Sequence, residues 1–264
     1  MYSVNYHRAS SVAEAATLLK SGDAKALSGG MTLLPAMKTR LAAPSDVVDI
    51  ARIGELKGIK VSGRTVTIGA ATTHAEVASS AELKKTAPAV AELAGMIGDP
   101  HVRHRGTIGG SVANNDPAAD YPSALLALGA TVVTNSREIA ADDFFTGLFE
   151  TALEDGEIIT AIRFEAPEKA AYEKFRNPAS RYAIAGVFVA RTGSGVRVAV
   201  TGAGENGVFR QGDMEAALAK NFAASAVEGI SVSADGLMSD IHASSEYRAN
   251  LVKVMAKRAV AKAG

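Results

Sequence analysis

Two glycine pairs in this chain sit among small polar residues: Ser28-Gly29-Gly30-Met31-Thr32 and Thr107-Ile108-Gly109-Gly110-Ser111. The chemistry suited to such bare backbone is anion binding. Successive N–H groups in a tight glycine turn form a concave nest for phosphate oxygens, and the missing Cβ lets a ligand reach the main chain. Ser28, Thr32, Thr107 and Ser111 add hydroxyl donors. One diphosphate shared by two such loops, each on its own small domain with the ligand between them, accounts for both pairs. Two structural turns account for the glycines alone equally well.

Three other patterns invite a chemical reading. Gly202-Ala203-Gly204-Glu205-Asn206-Gly207 has the spacing of a dinucleotide fingerprint, but the strand before it is the second arm of a predicted hairpin. The polar VFRQGD that follows opens no apolar helix, so a glycine-rich turn is the better reading. His101 and His104 have no further ligands nearby in sequence and form no convincing metal pair. With Arg103 and Arg105 they suit an anionic group or a partner surface. In Thr73-His74-Ala75-Glu76, Thr73 and Glu76 form a capping box, which gives His74 a structural place in a first helical turn.

The elements that position these residues follow from periodicity. Ser11 and Glu14 read as a capping box for a helix through Leu18 and Leu19 that Gly22 closes. AKAL is a short strand delivering the first glycine pair, a helix runs from Thr32 to Leu41, and DVVDI (46–50) is a strand. Alternation in RTVTIGA (64–70) predicts a half-buried strand. Helices are predicted at 88–96, with Pro88 in the first turn, and at 121–128. Strands are predicted at ATVVT (130–134) and EIITAIRF (157–164), and Pro167 within EAPEKA marks a domain boundary. AYEKFR, YAIAGVFVAR and GVRVAVTG read as antiparallel strands, with Thr192-Gly193-Ser194-Gly195 turning the second into the third. Helices follow, the last presenting Tyr247, Leu251, Val254 and Met255. Strands followed by helices indicate a separate α+β domain.

Composition narrows the class. The chain has 264 residues, 47% hydrophobic and 21% charged, as a globular protein with a full core requires. Lys plus Arg and Asp plus Glu are both 28, which gives no support to nucleic acid or an anionic membrane as a general partner. There is no cysteine, so this chain ligates no iron–sulfur cluster through thiolates and forms no disulfide. MYSVNYHRAS lacks the apolar core of a signal peptide and no apolar run reaches membrane-spanning length; a cytoplasmic protein is expected.

Four stretches, in order, carry a resemblance: SGGMTLLPAMKTRLAAPSDVVDI, TIGAATTHAEV, HVRHRGTIGGSVANNDPAADYPSALLALGA and YEKFRNPASRYAIAGVFVA. Together they closely resemble the FAD-binding (medium) subunit of molybdenum hydroxylases, the carbon monoxide dehydrogenase and xanthine dehydrogenase family. The resemblance implies an α+β chain: a two-part FAD-binding domain of the PCMH (vanillyl-alcohol-oxidase-like) type, residues 1–52 and 53–166, then a C-terminal α+β domain, 167–264. It implies FAD as cofactor, with Ser28 to Thr32 and Thr107 to Ser111 holding the diphosphate. Many relatives have Asn where this chain has Ser111. Asp120 matches a carboxylate that contacts the cofactor; capping the following helix is the alternative role. Ile97 and Gly98 match positions that touch the cofactor, and Ile159 and Lys174 match positions close to the isoalloxazine ring. Tyr182 is the candidate ring against the flavin face, although some relatives carry Asp where this chain has Arg181. Thr72-Thr73-His74 is a hallmark near the cofactor.

The function implied is that of an electron-transfer flavoprotein subunit. A molybdenum-cofactor large subunit oxidises the substrate, and an iron–sulfur small subunit passes electrons to this FAD and onward to an external acceptor. The missing cysteines agree, since a partner must hold the clusters. Two readings compete: a self-sufficient FAD-dependent oxidoreductase, which needs a substrate-binding base not evident here, and a non-catalytic FAD or nucleotide-binding module.

Overall fold

The computed structural model describes residues 1–20 and 22–264. The chain opens with β1 (Asn5–Arg8), α1 (Val12–Leu19), β2 (Ala24–Leu27), α2 (Leu33–Lys38) and β3 (Asp46–Asp49). The three strands form a parallel sheet in the order β1-β3-β2. At the start of α1, Ser11 accepts the Glu14 N–H, but the Glu14 carboxylate accepts from Ser10 rather than closing a box with Ser11. Helix α2 stops at Lys38, short of Leu41, and Arg40 beyond it has a left-handed φ of 66°.

A second, antiparallel sheet follows. Its strands are β4 (Ile59–Ser62), β5 (Thr65–Gly69), β6 (Thr131–Thr134), β7 (Glu138–Ala140) and, after the β8 (Phe145–Gly147) and β9 (Glu150–Thr151) hairpin, β10 (Ile159–Glu165). Their order is β4-β5-β10-β6-β7. The alternation in β5 is real: Val66 and Ile68 are fully buried while Thr65 and Thr67 are half-buried. Between β5 and β6 run α3 (His74–Ser79), α4 (Ala81–Thr86), α5 (Pro88–Gly95), α6 (Pro100–Arg105), α7 (Ile108–Asn114) and α8 (Tyr121–Leu128). Thr73 and Glu76 complete the expected capping box on α3. A short α9 (Ala141–Phe144) precedes the hairpin.

The C-terminal sheet is antiparallel, β11 (Lys169–Arg176), β12 (Ala183–Thr192), β13 (Gly195–Thr201) and β14 (Phe209–Arg210), in that order. It is covered on one side by α10 (Gly212–Lys220) and α11 (Ser245–Ala263). The buried face of α11 is Leu251, Val252, Met255, Ala256, Ala259 and Val260; Tyr247, expected on it, is half-exposed and meets the Phe175 ring edge-on at 6.2 Å. The GAGENG stretch links β13 to β14 and opens no helix, as its polar continuation indicated.

One helix explains how the parts hold together. Every residue of α8 is buried, because YPSALLAL is apolar all round and packs on β10 as well as on β12 and β13. Strand β12, AIAGVFVART, is buried over nearly its whole length because α8 covers one face and α11 the other. Each fully buried Leu, Val or Phe in this layer contributes about 1.5–3 kcal/mol. Asp120, immediately ahead of α8, is thereby fixed at the meeting point of the two sheets.

Candidate functional site

The two glycine pairs meet. Thr107 Oγ1 donates to Ser28 Oγ at 3.0 Å, joining the segment after β2 to the start of α7. The contact is backbone on backbone: a Cβ on Gly29 would lie 2.1 Å from the Arg105 carbonyl oxygen, so only glycine fits. Gly30 has a φ of 73°, which turns the chain into α2.

The two pairs are built differently. The second is not a turn but the first turn of α7, with Thr107 as N-cap accepting the Gly110 N–H at 3.2 Å. Its other donors are also spent inside the protein: Ile108 N–H on Thr72 O, Gly109 N–H on Ala70 O and Ser111 N–H on Thr107 O. A nest of free N–H groups, expected for both pairs, is therefore absent from the second. In the first pair the reverse holds. Among the described residues, Gly29, Gly30, Met31 and Thr32 have no protein acceptor for their N–H groups. The glycines of the second pair also divide in role. A Cβ on Gly109 would lie 2.5 Å from Ala70 Cβ, whereas Gly110 is exposed and has only Thr107 Oγ1 near, at 3.0 Å.

These segments border a cleft of about 860 Å³, within the range of small-molecule and cofactor sites. It is lined by Ser28, Gly29, Gly30, Met31, Thr32, Ile97, Gly98, Thr107, Gly109, Gly110, Ser111, Asp120, Ile159 and Tyr182. Two expected residues stand elsewhere. Ile108 is in the core, 1% exposed. Lys174 lies behind the cleft wall with its side chain 1% exposed, neither a solvated strand lysine nor a lining group.

Lys174 Nζ donates to Asp120 Oδ2 at 3.0 Å and to Met96 O at 3.2 Å, and Tyr172 OH donates to Asp120 Oδ1. Asp120 makes no side-chain cap bond to α8, so the capping role is not the one it plays. Burial pushes its carboxyl above the ordinary carboxylate value, against the pull of Lys174 and the Tyr172 hydroxyl. The segment before it is tied to the far sheet: Thr201 Oγ1 donates to Ala119 O at 2.6 Å and to Pro117 O at 3.1 Å, and Gly202 N–H donates to Pro117 O. Tyr182 lies just before β12, half-exposed at the mouth; burial, then the charges of Asp116 and Asp120, raise its phenol pKa. Beside it Arg181 has a left-handed φ of 65° and reaches Gly98 O at 3.5 Å. Arg103, in the basic cluster, donates to Ile97 O and Gly98 O and so braces the same wall.

Asp116 and Glu157 are among the titratable residues that line the cleft without having been expected there, and His74 joins them. Asp116 accepts the Ala118 N–H, and burial raises its pKa. Glu157 is held at about 2, first by Arg137, then by the Glu154 N–H and the hydroxyls of Thr134 and Ser136. His74 is 4% exposed, and burial followed by the Arg103 charge lowers its pKa to about 4, so it is neutral at pH 7. Gly106 packs on its ring, where a Cβ would lie 2.6 Å from Nε2. The resemblance put His74 near the cofactor, whereas the capping box explains only the helix start; the ring's packing on Gly106 depends on long-range contacts.

Comparison with known proteins defines a flavoprotein class for this fold. Residues 2–167 match the FAD binding domain in molybdopterin dehydrogenase. The chain is 37% identical to the carbon monoxide dehydrogenase medium chain of Hydrogenophaga pseudoflava, covering 97% of this chain and 95% of that one. It is 35% identical to the nicotine 6-hydroxylase medium subunit of Paenarthrobacter nicotinovorans, covering 99% and 97%. Among solved structures, carbon monoxide dehydrogenase from Hydrogenophaga pseudoflava superposes with a TM-score of 0.90 at 36% identity, covering 99% and 97% of the two chains. Quinoline 2-oxidoreductase from Pseudomonas putida 86 does so at 0.88 and 28%, with the same coverage.

The chain belongs to the family of FAD-binding domains of molybdopterin dehydrogenases. It is a medium, FAD-binding subunit of the molybdenum hydroxylase type, the flavoprotein part of a multi-subunit oxidoreductase. The donor set fits that cofactor: four free N–H groups in succession suit a diphosphate, and the cleft volume suits a dinucleotide.

Proposed function

We propose that this subunit receives electrons from the iron–sulfur clusters of a small partner subunit and passes them to an external acceptor, while a large molybdenum subunit oxidises the substrate. The observation that carries the reading is the run of unpartnered N–H groups from Gly29 to Thr32, held by the Ser28–Thr107 bond against the start of α7 inside one cleft. When bound, FAD supplies the capacity to exchange electrons singly or in pairs. The chain's residues do the rest. Gly29 to Thr32 hold the diphosphate by backbone donation, and Gly110 leaves room beside it. Asp120 accepts a hydroxyl hydrogen bond at the cleft wall, and its Lys174 partner adds positive charge behind it. Ile97, Gly98, Ile159 and Tyr182 enclose the ring end and exclude water. A chain without cysteine ligates no iron–sulfur cluster through thiolates, which supports partner subunits as the electron source. Residues 1–52, 53–166 and 167–264 are proposed as its structural units, and the cytoplasm as its location. Among the described residues no helix is long and apolar enough to cross a membrane.

The test is the visible spectrum of the chain, alone and assembled with its partners, with and without FAD. A stoichiometric flavin spectrum, bleached rapidly when the partner complex receives substrate, is the expected result. An assembled complex without flavin, or with flavin that substrate never reduces, refutes the reading.

A further inference from the structure

We infer that Tyr172 is a positioning residue of the cofactor cleft: from behind the wall, its hydroxyl fixes the orientation and charge of the Asp120 carboxylate that the cleft presents to FAD. This rests on the FAD reading above and deepens it.

Tyr172 is fully buried and does not line the cleft, so it acts only through what it touches. Its hydroxyl donates to Asp120 Oδ1, while Lys174, two residues along on the same face of β11, donates to Oδ2. Each carboxylate oxygen therefore has its own donor, and among the described residues Tyr172 and Lys174 are the side chains that hydrogen-bond it, with no cap bond to α8. The neighbouring strand is cut away to admit the hydroxyl: a Cβ on Gly186 would lie 2.3 Å from Tyr172 OH. Phe188, paired with Tyr172 across the ladder, stacks on its ring at 6.2 Å and 28°. Packing alone would be met by phenylalanine. The phenol oxygen, with a glycine making room for it, serves the carboxylate.

Charge gives the inference a distinct signature. Lys174 and Arg176 from β11 pull the Asp120 carboxyl down together with Tyr172, and burial pushes it up. Tyr121 on its own helix and Tyr182 lie near enough for the Asp120 charge to raise their phenol pKa values, and Asp116 acts on Tyr182 in the same direction. Removing the Tyr172 hydroxyl leaves the push of burial and takes away one opposing pull. Asp120 then takes up a proton at higher pH than before.

The experiment is FAD titration of the full chain from pH 8 to pH 5, for Tyr172→Phe in the wild-type and in the Asp120→Asn background, with thermal melts as the folding control. In the wild-type background the FAD dissociation constant rises about tenfold at pH 7, the size of one hydrogen bond to a charged group, and the loss grows as pH falls. In the Asp120→Asn background no carboxylate is left to titrate. The same substitution then costs less than about threefold and does so independently of pH, because a neutral acceptor makes the weaker bond. An equal, pH-independent loss in both backgrounds, or no loss in either, overturns the inference. If Tyr172→Phe alone does not fold, Asp120→Asn with and without it decides. A pH-independent change within threefold supports the inference, and a larger or pH-dependent loss overturns it. A wild-type chain that binds no FAD even with its partners refutes the cofactor reading and the inference with it. A wild-type chain that binds FAD beside an unaffected Tyr172→Phe refutes the inference alone.

Discussion

Gly109→Ala and Gly110→Ala differ by one position and are expected to separate folding from cofactor binding. At Gly109 the new methyl lands 2.5 Å from Ala70 Cβ and 2.8 Å from Ala70 O, and the latter is backbone that cannot turn aside. Overpacking of this kind costs about 1–3 kcal/mol. In a chain of this size each kcal/mol lowers the melting temperature by roughly 2–4 °C, so a fall of about 2–12 °C follows. At Gly110 the methyl meets only Thr107 Oγ1, at 3.0 Å. Alanine in a helix is favoured over glycine by about 1 kcal/mol, and the Thr107 hydroxyl has to give by a few tenths of an ångström. Stability without cofactor is then within about 1 kcal/mol of wild type. Gly110 lines the cleft, however, so the added methyl takes up room there, and a misfit of about 1–3 kcal/mol weakens FAD binding by roughly five- to 150-fold. The assays are a thermal melt of the FAD-free chain and a fluorescence titration with FAD. Gly110→Ala binding FAD as tightly as wild type refutes the placement of the diphosphate beside α7. Gly109→Ala melting at the wild-type temperature refutes the packing argument.

Lys174→Met leaves the buried Asp120 charge without its ion pair and is expected to destabilise the chain by about 3–5 kcal/mol, read by urea unfolding. Thr107→Val removes both the α7 N-cap and the link to Ser28; a loss of about 0.5–2 kcal/mol in stability, with weaker FAD binding, is expected from melts and titration. His74 binds its proton in the unfolded chain near pH 6.5 but in the fold only at about 4. Its contribution is therefore fully present above pH 6.5 and lost progressively as pH falls toward 4, by about 3 kcal/mol in all. A urea midpoint that stays level from pH 7 to pH 4.5 contradicts this, and His74→Leu is expected to flatten that part of the profile.

Local signals carried much of the fold. Alternation in β5, the Thr73–Glu76 box, Pro88 and the turn between β12 and β13 were each legible because neighbouring residues decide them. Short helices were not: α4, α6 and α7 owe their form to packing and to single caps such as Ser80, Asp99 and Thr107. The reading of Gly109-Gly110 as a loop failed for that reason. Glycine is a poor helix former, and here close approach to Ala70 outweighs propensity. Within the cleft, the glycine pairs stood out as bare backbone, whereas the inward turn of Lys174 depends on β11 packing against α5, where Nζ meets Met96 O, which no spacing encodes. Glu157 reads as an ordinary acidic residue in a charged stretch until Arg137, Thr134 and Ser136 are seen converging on it.

Thr201 and Gly202 hold the carbonyls of Pro117 and Ala119, so the segment leading to Asp120 is fastened to the last strand pair of a sheet that lines little of the cleft itself. That fastening couples two events that share no ligand contact. By that link, loosening of the C-terminal sheet is expected to free the acidic wall of the cleft, and an occupied cleft to steady that sheet. Cofactor occupancy and resistance of the C-terminal third to proteolysis are therefore expected to rise and fall together in limited digests with and without FAD, and a clip in the far sheet is expected to empty the site without touching it.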